Sequence, residues 1–271
     1  MGEGYWVVRT YDGPGAVGEK IKFFVPGARP ERRSRKREKD AEKKITQNRH
    51  AAVREAARVL NANYSAGDYL VGLDYSAGGL AKVEAWADAQ DGEISREDRV
   101  LMGAERELQL CLRRVRRELA KRGIQLRYHL AVTSDMDGDT GETVRVHHHL
   151  IVNRRAAKVI RAKWTLGGVS LRKLQRQPDY TPIAEYLIKQ VRHRKNDKAY
   201  LSSKNLVRPQ PKDRVALSAA ELRVPRGGKL LYRGAVIPGW PQYIRYELPP
   251  EKQRMPMRDA EGEEASTPVD A

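Results

Sequence analysis

Cysteine occurs once in the 271 residues of this chain. A single thiol excludes an internal disulfide and fits a reducing compartment such as the cytoplasm. It is Cys111, and it falls in a helical apolar stripe, which suits a small core residue better than a nucleophile. No Cys/His spacing of the zinc-finger kind exists, and no P-loop pattern for ATP. No apolar run approaches the roughly 20 residues of a membrane span. The N-terminal stretch MGEGYWVVRTYDG lacks the basic and apolar regions of a signal peptide. Acidic residues are scarce relative to basic ones, 35 against 52, for a net charge of +17. That surplus favours a polyanionic partner, because each neutralised phosphate releases counterions. Charge alone does not separate DNA from RNA, or either from an anionic membrane.

What is present suits a globular chain with polar ends. Residues 28–44, ARPERRSRKREKDAEKK, are strongly basic and have no apolar period. They read as a disordered arm or as the solvated start of a helix. In the next segment Ile45, Ala52, Val53, Ala56 and Leu60 recur at three- and four-residue steps and predict a helix. GDYLVGLDYS (67–76) reads as a buried strand. From Ser95 to Gly123 runs the clearest helix: Ser95 and Asp98 make a capping box and Gly123 a stop. Its stripe is Leu101, Leu108, Leu112, Val115 and Leu119. Arg113, Arg114, Arg116 and Arg117 crowd its margin and outer face, where they either solvate that face or contact backbone phosphates.

IQLRYHLAVTS (124–134) and VRVHHHLIVN (144–153) read as strands joined by a Gly/Asp-rich turn. A short helix (RRAAKVIRAKW), a strand after Gly-Gly (GGVSLRKL) and a further helix (PDYTPIAEYLIKQVRH) follow, with Pro182 acceptable in the last helix's first turn. Residues 67–174 thus follow β-α-β-β-α-β, the ferredoxin-like pattern of an α+β fold: an antiparallel sheet with helices on one face, then an added helix. VRVHHHLIVN is the third strand and belongs at the centre of that sheet.

Three consecutive histidines in a strand divide between its faces: His147 and His149 share one, His148 takes the other. Two imidazoles a strand repeat apart reach a single divalent cation, although most strand histidines are half-buried polar residues. The central position and the added helix tip the balance toward a metal. On that helix Tyr186 and Lys189 stand three apart and share a side. A tyrosine hydroxyl, with an unperturbed pKa near 10, attacks well only if a cation polarises the electrophile and a nearby positive charge assists. The bland alternative is an amphipathic tyrosine with its ring in the core.

With these residues in hand the chain resembles the HUH endonucleases, and more closely the replication-associated proteins of rolling-circle phages and plasmids. The resemblance rests on HHH (147–149), YLIK (186–189) and, in order, NRHAAVREAARVLNANYSAGDYLVGLDYS, RVHHHLIVN, AKWTLGGVSLRKLQ, IAEYLIKQ and YLSSKNLVRP, over about residues 43–210. It implies the endonuclease domain over 43–210, while composition sets off a basic N-terminal arm (1–42), a C-terminal extension packing on the domain (211–249) and a polar, disordered tail (250–271). It further implies that His147 and His149 hold Mg²⁺ or Mn²⁺ against a scissile phosphate. Tyr186 would attack single-stranded origin DNA to leave a 5′-phosphotyrosine and a free 3′-OH, and Lys189 would orient the site or neutralise charge. Relatives commonly carry Glu near the end of the second strand as third metal ligand. This chain has Ser134 there, so Asp135 is the nearest substitute, with Asp137 and Glu142 in the same turn. Asp74, where the family usually has Thr, is the alternative.

Further expectations follow. His148, at a position usually apolar, is a packing or polar-network residue, and His129 a strand filler. Tyr180 and Tyr200 are weaker nucleophile candidates, and Trp164 packs the second helix on the sheet. Arg113, Arg116, Arg117, Lys204 and Arg208 are the candidate DNA contacts. The segment 223–249 would append a hairpin. The implied setting is the cytoplasm of a bacterial host, off the membrane, with a host polymerase and a helicase borrowed from the host or encoded elsewhere. Rival readings are a relaxase or transposase of the same chemistry, and a non-catalytic single-stranded nucleic-acid-binding protein.

Overall fold

The computed structural model describes residues 4–27, 39–133, 146–189, 201–216, 221–237 and 240–253. In chain order the strands are β1 (Tyr5–Asp12), β2 (Val17–Val25), β3 (Tyr69–Asp74), β4 (Tyr128–Thr133), β5 (His147–Val152), β6 (Val169–Lys173), β7 (Leu201–Ser202), β8 (Lys212–Ala216), β9 (Lys229–Arg233) and β10 (Gln242–Glu247). The helices are α1 (Lys39–Asn63), α2 (Ala77–Asp88), α3 (Arg96–Ala120), α4 (Arg154–Lys163) and α5 (Thr181–Lys189). The fold is mixed α and β, with two five-stranded antiparallel sheets. No helix among the described residues is long and apolar enough to cross a membrane.

One sheet has the order β6-β3-β5-β4-β7, so the histidine strand β5 lies between β3 and β4. Both faces of this sheet are covered. Val71, Leu73, Leu150 and Val152 join the buried side chains of α2, α3 and α4. Ile151, alternate to Leu150 along the strand, joins those of α1 and α5 instead. Leu108, Leu112 and Leu150 on one side, and Leu60 and Leu187 on the other, are at most 1% exposed. Each such burial contributes about 1.5–3 kcal/mol, so neither helical layer is a loose appendage.

Local chemistry explains the helix ends. Ser95 Oγ accepts the Asp98 N–H at 3.1 Å, and α3 then buries Leu101, Ala104, Leu108, Cys111, Leu112, Val115 and Leu119 at helical spacing. Gly123 ends the run at a positive φ of 69°. Helix α2 is an element that sequence periodicity does not predict, because its AGGLAK start reads as a break. Here the glycine is what the packing needs: a Cβ on Gly79 would collide with the Leu166 carbonyl, while Ser76 Oγ caps the Gly79 N–H at 3.2 Å. Helix α1 begins at Lys39, inside the basic run read as an arm or helix start.

The expected N-terminal arm over 1–42 needs correcting. Residues 5–25 form β1 and β2, which pair with each other and with strands from the far end of the chain, giving the order β8-β1-β2-β10-β9. The segment 211–249 is therefore more than an extension: its β9–β10 hairpin and β8 complete a second sheet with the N-terminus. Across β1 and β2, Trp6 and Phe24 are partners in register, with ring centroids 5.4 Å apart. Residues 250–252 form a single 3-10 turn, and the tail beyond 253 lies outside the described residues.

Helix α1 joins the two sheets. Arg58 Nε donates to the buried carboxylate of Glu19 on β2 at 2.9 Å, and its guanidinium lies 3.7 Å from the centre of the Tyr11 ring. Burial raises the Glu19 carboxyl above its usual range, with Arg58 opposing.

Candidate active site

The pleat of β5 separates its three histidines as the alternation predicts. His148 is fully buried on the α2–α3–α4 side, with Nε2 2.8 Å from the Tyr75 hydroxyl and its ring edge-on to Trp164. Burial, then the neighbouring His147 and His149, push its pKa down to about 3. It is a neutral core residue. Trp164 also donates from Nε1 to the Asp74 carbonyl at 3.0 Å, which fastens the end of α4 to β3.

His147 and His149 face the other layer, half-buried, with their Nε2 atoms 3.1 Å apart and their rings edge to face. Helix α5 completes the arrangement. It buries Thr181, Ala184, Leu187 and Ile188, packs along α1, and leaves Tyr186 41% exposed on its open side. The Tyr186 hydroxyl lies 3.2 Å from His149 Nε2, and the two rings are 5.2 Å apart. Lys189 is exposed in the last turn, and its carbonyl accepts Arg49 of α1 at 3.4 Å.

The spacing of the two imidazoles fits a cation. Two nitrogens bound at about 2.0–2.1 Å to one ion stand roughly 2.9–3.4 Å apart at octahedral or tetrahedral angles, and the observed 3.1 Å falls in that range. In the absence of an ion the same spacing lets one ring donate to the other. Among the described residues no group of three His, Cys, Asp or Glu side chains is placed to hold a metal. Asp135, the expected third ligand, lies outside the described residues, as do Ser134, Asp137 and Glu142. Asp74 stands opposite His147 in register. Its Oδ2 lies beside Gly168, the residue before β6.

Sequence reasoning missed the residues that hold α5 in place. Asp179, just before the helix, accepts the Thr181 N–H at 2.9 Å, the Thr181 hydroxyl at 2.6 Å and Asn61 Nδ2 of α1 at 3.0 Å, all through Oδ1. Its Oδ2 lies 2.7 Å from Arg245 Nε of β10. That contact is an ion pair by distance, without the N–H alignment of a hydrogen bond. Asn61 Oδ1 in turn accepts the Tyr180 N–H at 2.7 Å. The PDYTP stretch carries an Asp ahead of a Thr-Pro helix start, a signal that could have singled out Asp179. Nothing local points to Arg245.

The other candidates scatter. Arg113, Arg116 and Arg117 are exposed on α3, in the layer that covers the His148 face, across the sheet from His147, His149 and Tyr186. Lys204 and Arg208 are exposed beyond β7, and Arg208 pairs with Glu55 of α1 at 3.7 Å. His129 is buried on β4, with Nδ1 2.8 Å from Ser202 Oγ, and burial lowers its pKa to about 3. Tyr180 is buried, its hydroxyl donating to the Gln175 carbonyl. Tyr200 lies outside the described residues. Compared with protein-family models, curated proteins and solved structures, the chain matches none.

Proposed function

We propose that this chain is a metal-dependent, single-tyrosine enzyme that nicks and rejoins single-stranded DNA and initiates rolling-circle replication. The observation that carries this reading is the Tyr186 hydroxyl 3.2 Å from His149 Nε2, beside His147, on one face of a central strand. The strand order supports it: with β3, β4, β5 and β6 counted one to four, the third strand lies between the first and second, as in a ferredoxin-like sheet.

His147 and His149 would hold Mg²⁺ or Mn²⁺, with Asp135 as the further ligand. When bound, the ion supplies Lewis-acid stabilisation of charge on the phosphoryl oxygens. Tyr186 does the covalent work. Its oxygen attacks phosphorus, the phenol proton is released, the bond from phosphorus to the 3′ oxygen breaks, and that oxygen takes up a proton as the free 3′-OH. Phosphodiester energy is kept in the tyrosyl link, so the reverse attack by a 3′-OH rejoins strands. Lys189, exposed at the end of the same helix, offers charge to the DNA backbone. The burial of Leu187 and Ile188 fixes the helix that presents Tyr186.

The test uses end-labelled, randomised single-stranded oligonucleotides with Mg²⁺ or Mn²⁺ on a denaturing gel. Wild-type protein should form a covalent adduct, and chelation should abolish it while sparing much of the binding. Tyr186→Phe keeps the ring, should still bind, and should give no adduct. Cutting without an adduct would mean a water-using nuclease, and binding without either a non-catalytic protein. An adduct that persists in Tyr186→Phe would move the nucleophile to another tyrosine.

A further inference from the structure

We propose that the outer surface of α3 and α4 is a second nucleic-acid-binding surface, which takes the phosphate backbone of a duplex on the far side of the sheet from Tyr186. The two segments 113–122 and 154–163 hold eleven Lys and Arg residues and a single carboxylate, Glu118. Glu118 lies 3.1 Å from Lys121 and 3.6 Å from Lys163, so one carboxylate is shared between two cations and the surface keeps a large surplus. Helix α4 is sharply two-sided. Ala156, Ala157, Val159 and Ile160 enter the core, whereas Arg154, Arg155, Lys158 and Arg161 point outward. The C-terminal half of α3 repeats the division, burying Val115 and Leu119 and exposing Arg113, Arg116 and Arg117.

These two helices pack into the same cluster, under Leu150 and Val152, so their charges form one face. That face lies behind the strand whose other side carries His147 and His149. A strand held at Tyr186 cannot also lie on α4 without passing round the sheet, and the two surfaces serve different stretches of nucleic acid.

The chemistry of the face selects the partner. Its exposed positions carry cations and alanines, with no exposed aromatic or large apolar side chain. A single strand is usually gripped by stacking its bases on aromatic rings, and a membrane surface by inserting apolar side chains. Neither device is present here. A duplex hides its bases and offers a phosphate charge every 1.7 Å or so of its axis, which suits a surface of cations alone.

The test measures the affinity of the full-length protein for a duplex of arbitrary sequence, and for one of its strands, from about 50 to 200 mM KCl. The variant carries Arg122→Gln, Arg154→Gln, Lys158→Gln and Arg161→Gln together, all at exposed positions. If each of the four residues meets one phosphate, the slope of log affinity against log salt should fall by about 3–4. Duplex affinity should drop at least ten-fold, while adduct formation at Tyr186 on a single strand stays within about two-fold. A companion variant, with Lys at the three arginines, keeps the charge and should keep the slope, which guards against misfolding. An unchanged duplex slope in the Gln variant overturns the proposal. So does a parallel loss of single-strand binding and adduct, which would assign the face to the nicking site. So does stronger binding to phosphatidylserine vesicles than to duplex, lost in the same variant. Duplex affinity is read without cleavage, so this proposal and the nicking reading fail separately.

Discussion

The ion pair between Arg245 and Asp179 fastens the second sheet to the start of the tyrosine helix, and breaking it should be costly. Arg245→Met keeps much of the side chain's volume and removes its charge. Asp179 then retains Asn61 and Thr181 on Oδ1 but loses the partner of Oδ2. The two side chains are only 15% and 12% exposed, so water restores little. Removing one partner of a fully buried pair costs about 3–5 kcal/mol; with this residual exposure about 2–3 kcal/mol is expected. Asp179→Asn keeps an oxygen for Thr181 and Asn61, loses the charge, and should cost a similar amount. Because both changes remove one interaction, the double variant should cost about 1.5–2 kcal/mol less than the sum of the singles. Urea unfolding of the four proteins measures this coupling. The rate of adduct formation at Tyr186 should fall in the same variants, while duplex affinity at α3 and α4 should not. Additive single effects, within about 0.5 kcal/mol, would show that the contact contributes nothing and that α5 is held by its apolar face alone.

Two further outcomes concern the cores. His129 has a folded pKa near 3 against an ordinary value of 6.5, so the unfolded chain binds its proton first. Its contribution is complete above pH 6.5 and is lost as the pH falls toward 3, at up to about 1.4 kcal/mol per pH unit. His129→Gln does not titrate and should flatten the fall of the urea midpoint between pH 6 and 4; an unchanged pH profile refutes the assignment. Gly79→Ala places a methyl against the Leu166 carbonyl and should cost about 2 kcal/mol or more despite alanine's better helix propensity, read as a lowered Tm. A stabilised variant would mean that α2 moves away freely.

The first sheet is legible in the sequence because its elements are locally patterned. The stripe of α3, the alternation around HHHLIV and the Gly-Gly before β6 each lie within one element, and each corresponds to what forms. Helix α2 escapes because its small residues serve a close backbone approach, which periodicity does not register. The second sheet escapes for a different reason. Trp6 pairs with Phe24 nearby, but also with Ala216, and Glu19 pairs with Arg245. Contacts across about two hundred residues leave no local trace, so the strands at the N-terminus read only as the stretch before a basic arm. The site divides along the same line. The histidines and Tyr186 are readable from spacing, whereas Asp179 matters through Arg245 and Asn61, which are distant in the chain.

The middle histidine shows how one strand supplies both a site and its support. The Tyr75 hydroxyl has one proton and two partners, the Ala104 carbonyl at 3.2 Å and His148 Nε2 at 2.8 Å. The carbonyl can only accept. If the hydroxyl donates there, His148 must donate through Nε2, which leaves Nδ1 a bare nitrogen in the core, where it has no hydrogen-bond partner. A neutral ring satisfies this arrangement, and burial keeps it neutral. A leucine would fill the space but leave the hydroxyl of Tyr75 with one partner in place of two. The pleat thus turns one histidine into a core hydrogen bond that ties β5 to the residue following β3, and leaves His149, beside His147, to meet Tyr186 on the opposite face.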